Sequence, residues 1–85
     1  MERLGVVAVV IEGDRGIASS VQEILSAHGE IIVARTGIPD REHNQSVISL
    51  IVRGTVEEIS ALTGSLGRLP NVQVKSALTA NKEAK

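Results

Sequence analysis

Residues 6–13, VVAVVIEG, and residues 47–54, VISLIVRG, decide the fold, because one pattern of residue types occurs in both halves of the chain. Each segment is a run of apolar, largely β-branched residues that ends at a glycine, which is typical of a buried strand. A helix cap follows each run, Asp14 in the first half and Thr55 in the second, and apolar residues then recur at helical spacing. This repeated β-α-β unit predicts the ferredoxin-like βαββαβ fold.

The elements can be placed from their periodicity and from the residues that end them. The strands are predicted over residues 4–11, 31–36, 47–52 and 72–78. A polar loop is predicted over residues 38–44, IPDREHN, and a capping box at Thr55 and Glu58 starts the second helix. The expected class is α+β, ferredoxin-like, with a four-stranded antiparallel sheet of order 4-1-3-2 and two helices on one face. Residues 1–79 are expected to form a single domain and residues 80–85 a flexible tail.

The composition predicts self-association. Apolar residues make up 42% of the 85-residue chain, but Phe, Trp and Tyr are absent, so the core must be built from Val, Ile, Leu and Ala. A small domain with such a core buries little area. The sheet face without helices would also expose Val and Ile, and a patch of this kind is usually covered by a partner. A homo-oligomer, either a dimer or a tetramer, is therefore predicted.

Several classes of function lack support in the sequence. The net charge is −1 and no basic run or aromatic platform occurs, so direct nucleic-acid binding is not predicted. The absence of cysteine excludes disulfides, thiolate metal sites and cysteine nucleophiles. The first apolar run is short and ends in acidic residues, which favours a buried strand over a membrane or targeting segment. A cytoplasmic protein is expected.

No catalytic motif can be recognised. The serines lie outside contexts such as G-x-S-x-G, and the carboxylates are spread over helix faces and turns. The glycines form neither G-x-G-x-x-G nor a phosphate-binding loop. An enzyme is therefore not predicted, and no cofactor is expected.

The two histidines permit a metal hypothesis. His28 falls on the apolar side of the first helix near its end, where a capping or partly buried role is the simpler interpretation. His43 lies in the polar loop near Asp40, Arg41 and Glu42, where a solvated side chain is the simpler interpretation. The alternative is a metal site across a subunit interface that uses His28 or His43, together with Asp40 or Glu42.

The most distinctive segment is RTGIPDR, residues 35–41. Its two arginines, Arg35 and Arg41, flank a glycine and a proline at a strand end, and such arginines can bind a carboxylate or a phosphate. A tight turn with solvated charges, or an intersubunit salt bridge, would explain the same residues. The functional hypothesis is a site for a small anionic effector that includes Arg35, Gly37, Arg41 and His43.

Longer stretches carry a family resemblance, namely GVVAVVIE, EILSAHGEIIVARTGIP and VISLIVRGTVEEISALTGSLGRLPNVQVKSALT. In these stretches the chain resembles the family of proposed iron-only hydrogenase system regulators. The resemblance spans residues 5–79 and is most specific at residues 35–39, 59–70 and 74–79. It implies a regulatory or accessory role in the iron-only hydrogenase system of an anaerobic bacterium, with a protein of that system as a partner.

The chain is also similar to ACT domains and to the ligand-binding domain of the nickel-responsive repressor, which bind small effectors at subunit interfaces. The ACT-like comparison implies an effector near the turn between the first strand and the first helix, at Gly13, Asp14 and Gly16. The sequence lacks the cluster of histidines and cysteine expected for the repressor's nickel site, and it lacks a basic DNA-binding element. The resemblance therefore implies regulation through a ligand or a protein partner.

Overall fold

The described part of the chain folds into four strands and two long helices. A computed structural model describes residues 1–13 and 15–80, without the side chain of Arg15. The elements in chain order are β1 Arg3–Glu12, α1 Arg15–Ala27, a short 3₁₀ helix Gly29–Ile31, β2 Ile32–Asp40, β3 Gln45–Gly54, α2 Val56–Gly67 and β4 Val72–Leu78. The predicted helix cap Asp14 and residues 81–85 of the predicted tail lie outside the described residues.

The strands form an antiparallel sheet in the order β2-β3-β1-β4. Each of the two central strands, β1 and β3, pairs with two neighbours. The predicted order 4-1-3-2 and the ferredoxin-like α+β class are therefore confirmed. The internal repeat predicted this topology because each half supplies one central strand, one helix and one edge strand.

Both helices cover the same face of the sheet. Side chains alternate between the faces of a strand, and β1 buries Val7, Val9 and Ile11 while leaving Val6 44% exposed. The strand residues of the core are joined by helix residues in one cluster, which includes Val21, Leu25, Ile59, Leu62 and Leu66. The aliphatic core predicted from the composition thus lies between the sheet and the helices.

The turn between β3 and α2 is tightly closed. The Glu58 backbone N–H donates to Thr55 Oγ1 at 3.1 Å, and the Thr55 backbone N–H donates to Glu58 Oε1 at 2.8 Å. This is the capping box that the sequence predicted. Gly54, just before it, is buried, and an added Cβ would lie 2.9 Å from Glu58 Oε1 and 3.1 Å from Ile31 Cγ2.

The second strand is longer than its sequence suggested. A strand over residues 31–36 and a loop from residue 38 were predicted, but β2 continues to Asp40 and the turn covers only residues 41–44. The prediction of a polar loop at Ile38 and Pro39 was therefore wrong. Because β2 is an edge strand bonded only to β3, proline can lie in it without removing a ladder hydrogen bond.

The face of the sheet opposite the helices carries exposed apolar side chains. Val6 is 44% exposed, Val47 40% and Ile38 62%. The predicted exposure of Val and Ile on this face is confirmed, and its burial by a partner stays a prediction. In the part of the chain that is described, neither α1 nor α2 is long and apolar enough to span a membrane.

Candidate functional site

A groove runs between α1 and the edge strand β2. It consists of two cavities of about 220 Å³ and about 200 Å³. The cavities adjoin, because both are lined by Ile11, Ala18, Pro39 and Ser46. Most of β2 is exposed, from Val33 to Pro39, so the side of the sheet next to α1 is only loosely covered.

One end of the groove is built by two linked turns. Gly13 has φ = 77°, a left-handed conformation that glycine adopts without strain. Its N–H donates to the carbonyl oxygen of Asn44 at 2.8 Å, and Asn44 is itself left-handed with φ = 55°. This bond ties the turn after β1 to the turn between β2 and β3, so Gly13 and Arg41 line the same cavity.

The other end of the groove is bridged by Arg35. The register pairs Arg35 with Leu50 and Gly37 with Ile48, two buried residues of β3, so both face the helices. Arg35 Nη2 donates to Gln22 Oε1 of α1 at 2.5 Å. A strand residue thus contacts the helix across the groove, and Gly37 beside it leaves the second cavity open.

A carboxylate forms part of the wall of the first cavity. Gln45 Nε2 donates to Asp40 Oδ2 at 2.9 Å, and His43 Nδ1 lies 3.0 Å from the same oxygen. The hydrogen bond from Gln45, with smaller contributions from His43, holds the pKa of Asp40 below its ordinary value. Asp40 is therefore ionised at neutral pH.

The two arginines of the groove form no salt bridge with a described carboxylate, although ionised Asp40 lines the first cavity together with Arg41. Arg35 bonds to an amide oxygen of Gln22, and no salt bridge joins Arg35 or Arg41 to any acidic residue in the described ranges. Guanidinium groups bind carboxylates and phosphates with paired hydrogen bonds. Ile11 and Ile48 supply an apolar floor. The groove can therefore hold a small anion that also has an apolar part.

The structure brings together residues that the sequence had placed in two separate turns. Gly13, Arg35, Gly37 and Arg41 line one groove. Asp14, the third predicted site residue of the first turn, lies outside the described residues.

The remaining two predicted site residues are not in the groove wall. Gly16 lies in the first turn of α1 and is not among the described residues that line either cavity. The His43 side chain is 66% exposed and contacts Asp40 at the rim.

The two histidines lie at opposite ends of α1. His28 follows the last turn of the helix, whereas His43 belongs to the turn tied to Gly13 at its start. A helix of 13 residues is about 20 Å long, so the two side chains do not meet within one copy of the chain. Among the described residues no group of three or more His, Cys, Asp or Glu side chains could hold a metal ion.

Some groove residues were missed from the sequence. Gln22 and Ser46 line the second cavity, and Asn44 and Gln45 line the first. Asn44 had a usable signal, since asparagine in a polar turn often adopts a left-handed conformation. Gln22 had none, because the strand that it contacts is remote in sequence and was not predicted to reach α1.

Comparisons with known proteins identify the family. The TM1266-like family model, described as a proposed regulator of the iron-only hydrogenase system, matches residues 3–76. The chain belongs to the TM1266-like family. The structure of the uncharacterized protein TM1266 from Thermotoga maritima is similar with a TM-score of 0.91 and 31% sequence identity, over 94% of this chain and 100% of that chain. The family resemblance seen in the sequence is thus confirmed. No curated protein matches the chain in sequence.

Two more distant structures share the fold of this TM1266-like chain. The ACT domain of the GTP pyrophosphokinase of Chlorobium tepidum has a TM-score of 0.75 and 14% identity, over 91% of this chain and 100% of that one. The C-terminal domain of the MgtC protein of Mycobacterium tuberculosis has a TM-score of 0.71 and 12% identity, over 98% and 94%. These likenesses show the fold alone, and they confirm the ACT-like architecture.

Proposed function

We propose that the chain is a regulatory or accessory module of the iron-only hydrogenase system, that it acts as a homo-oligomer in the cytoplasm, and that it binds a small anionic effector in the groove between α1 and β2. It performs no catalysis. Membership of the TM1266-like family supports the link to that system. The observation that carries the effector is the convergence of Arg35 and Arg41 on one groove without a carboxylate partner among the described residues.

The size of the groove limits the effector. Each cavity holds about 200 Å³, below the roughly 300–1,000 Å³ of a site for a drug-sized ligand. A carboxylate or phosphate with a short apolar part fits this space, with the anion at an arginine and the apolar part on Ile11 and Ile48. The open side of the groove along β2 leaves room for a subunit or a hydrogenase-system protein to cover the effector.

The test measures anion binding to the purified oligomer by isothermal titration calorimetry, with inorganic phosphate and a panel of short-chain carboxylates as probes. Replacing Arg35 and Arg41 together by alanine is expected to weaken binding several-fold or more, because the charged donors are lost. Arg68→Ala is the matched control, since Arg68 is an exposed arginine at the end of α2, outside the groove. Equal affinities of the double variant and the control would remove these arginines from the site.

The alternative function is nickel or iron sensing through interface histidines. It would need His28 or His43 to meet ligands from another subunit, since the two lie at opposite ends of α1. Elemental analysis of protein purified without a histidine tag tests this alternative. A stoichiometric metal that is lost in a His43→Ala variant would support it, and protein without stoichiometric metal would reject it.

A further inference from the structure

The face of the sheet opposite the helices, called the open face below, has an ordered pattern of side-chain rows that cross the strands. The register defines these rows from one end of the sheet to the other. The acidic row is Asp40, Gln45 and Glu12, and the basic row at the other end is Arg53 and Leu4. The first apolar row is Ile38, Val47 and Val10, and it ends in the polar Gln73 on β4. The central row is Thr36, Ser49, Ala8 and Lys75, and the second apolar row is Ala34, Ile51, Val6 and Ala77.

The two apolar rows lie at equal distances on either side of the central row. A two-fold axis along the central row would therefore place the first apolar row of one copy against the second apolar row of another. The small side chains of Ser49 and Ala8 at the axis allow two sheets to approach to about 10 Å, the usual spacing of packed sheets. The apolar rows on β2, β3 and β1 therefore match each other in hydrophobicity.

The charges at the two ends of the face select one orientation. With the strands of the two copies antiparallel, Arg53 of the partner subunit lies opposite Gln45, between the carboxylates of Asp40 and Glu12. With the strands of the two copies parallel, the acidic row of one copy would lie on the acidic row of the other, and Arg53 would lie near Arg53 of the partner subunit. Neither Arg53 nor Glu12 has a salt-bridge partner among the described residues of its own chain. Opposite charges across an interface favour the antiparallel orientation.

The edges of the sheet are less suited to self-association than its face. β2 carries Pro39 and a bulge between Ile32 and Ala34, and both features block the addition of another strand. Lys75 lies on β4, the opposite edge, at the outer end of the central row. The two-fold axis along the central row places it opposite Lys75 of the partner subunit, so each long side chain has to extend from that edge into solvent.

The area of the face is sufficient for a stable dimer. Four strands about 4.8 Å apart that rise about 3.3 Å per residue have a footprint of roughly 600 Å² per copy over nine or ten residues. A dimer would then bury roughly 1,200 Å² in total, which reaches the lower end of the range for specific interfaces.

We propose that two copies of the chain dimerise by stacking their open sheet faces with antiparallel strands, so that Arg53 of the partner subunit pairs with Glu12 and Asp40. This inference rests on the homo-oligomer of the proposed function and adds its surface and orientation. It also joins the interface to the groove. Asp40 and Gln45 belong to the acidic row and also line the first cavity, so the partner's Arg53 lies at the mouth of the effector site.

Sedimentation equilibrium of the purified full chain measures the dimer dissociation constant. The reversed charge in Arg53→Glu is expected to raise this constant about tenfold or more, and adding Glu12→Arg should restore it to within about threefold. Raised salt should weaken the wild-type dimer. Arg68→Glu is the matched control, because Arg68 is exposed on the helical side of the molecule and should leave the constant unchanged.

A second pair of variants tests the apolar rows. Val6→Lys places a charge on the open face and should also raise the dissociation constant, whereas Val56→Lys, at a similarly exposed valine at the start of α2, should not. Circular dichroism confirms that each variant is folded. A wild-type monomer at about 100 μM, or a dimer unchanged by both Arg53→Glu and Val6→Lys, would overturn the proposal.

Anion titration of the same samples separates this inference from the proposed function. A dimer that responds to Arg53→Glu but binds no anion supports the interface while the effector proposal fails. A monomer that binds anions overturns the interface while the groove stands.

Discussion

The turn after β3 and the turn after β1 hold equivalent positions in the two halves of the chain, yet one is closed and the other open. After β3, buried Gly54 packs against Ile31, and Thr55 and Glu58 cap α2 with two reciprocal hydrogen bonds. After β1, exposed Gly13 takes a left-handed conformation beside a groove. The same β-α-β unit therefore supplies packing at one turn and an accessible cavity at the other.

The difference extends into the strands that follow each helix. After α2 comes β4, which packs partly buried Val72 and Val74 against the core. After α1 comes β2, whose residues from Val33 to Pro39 are exposed. Regions with few buried apolar contacts open at low free-energy cost, and binding sites are commonly drawn from them. The loosely covered first half is the one that carries the candidate site.

The largest expected effect tests whether this difference reaches the core. Leu25 and Leu66 are equivalent residues of α1 and α2, and both are almost fully buried in one cluster. Leu25→Ala and Leu66→Ala should each lower the free energy of unfolding by about 2–5 kcal/mol. Urea denaturation measures both variants, with Val56→Ala as the partly exposed control. A much smaller decrease in the free energy of unfolding for Leu25→Ala would mean that the first half of the chain is loosely packed in its core as well as at its turn.

The next effect compares the two glycines directly. Gly54→Ala should lower the free energy of unfolding by about 1–3 kcal/mol, because its Cβ would press on Glu58 and Ile31. Gly13→Ala should lower it by about 1–2 kcal/mol through left-handed strain alone, and should also weaken anion binding. Gly67→Ala is the control, since no described atom outside its own helix turn and chain neighbours lies within 4 Å of the added Cβ. Anion binding weakened equally by Gly54→Ala and Gly13→Ala would contradict the division between the turns.

The second half of the chain, which contains the closed turn, was also the half whose structure the sequence predicted best. The capping box at Thr55 and Glu58 and the strand over residues 72–78 were predicted correctly, because each depends on residues close together in the chain. The sheet order followed from the repeat, which is visible in the sequence without any alignment of relatives. Local patterns and their repetition were therefore enough for the fold.

The structure of the first half, which contains the open turn, was predicted less well from the sequence, because its features depend on contacts between distant residues. β2 continues through Pro39 only because β3 lies on one side of it and solvent on the other. The groove wall needs Gln22 of α1 to meet Arg35 of β2. The sequence therefore predicted which residues of β2 and its turn are unusual, but not that they share a groove with Gly13.

A smaller effect isolates the capping box. Thr55→Ala removes the acceptor of the Glu58 N–H and should lower the free energy of unfolding by about 1 kcal/mol. Thr55→Ser keeps that acceptor and should restore most of the loss. Anion affinity should not change in either variant, since Thr55 lies outside the groove. A change in affinity would show that the two turns are coupled through the sheet.

The smallest expected effect concerns the rim of the open turn, where hydrogen bonds to the Asp40 carboxylate are made without the packing that surrounds Gly54. Gln45 and His43 keep the pKa of Asp40 below its ordinary value. The carboxylate therefore contributes stability that is present above the pKa of an unfolded aspartate, and this contribution is lost as the pH falls through the lower folded value.

The corresponding variant is Asp40→Asn, which removes the titrating group. The difference in urea midpoint between wild type and Asp40→Asn should be present at about pH 6 and should shrink towards about pH 2, with Glu42→Gln, at an 82% exposed side chain, as the control. A difference that stays constant over this range would mean that the uncharged carboxyl supports the turn equally well. In that case the hydrogen bonds at the open turn would not depend on the charge of Asp40, and the contrast between the two halves would reduce to how tightly each is packed.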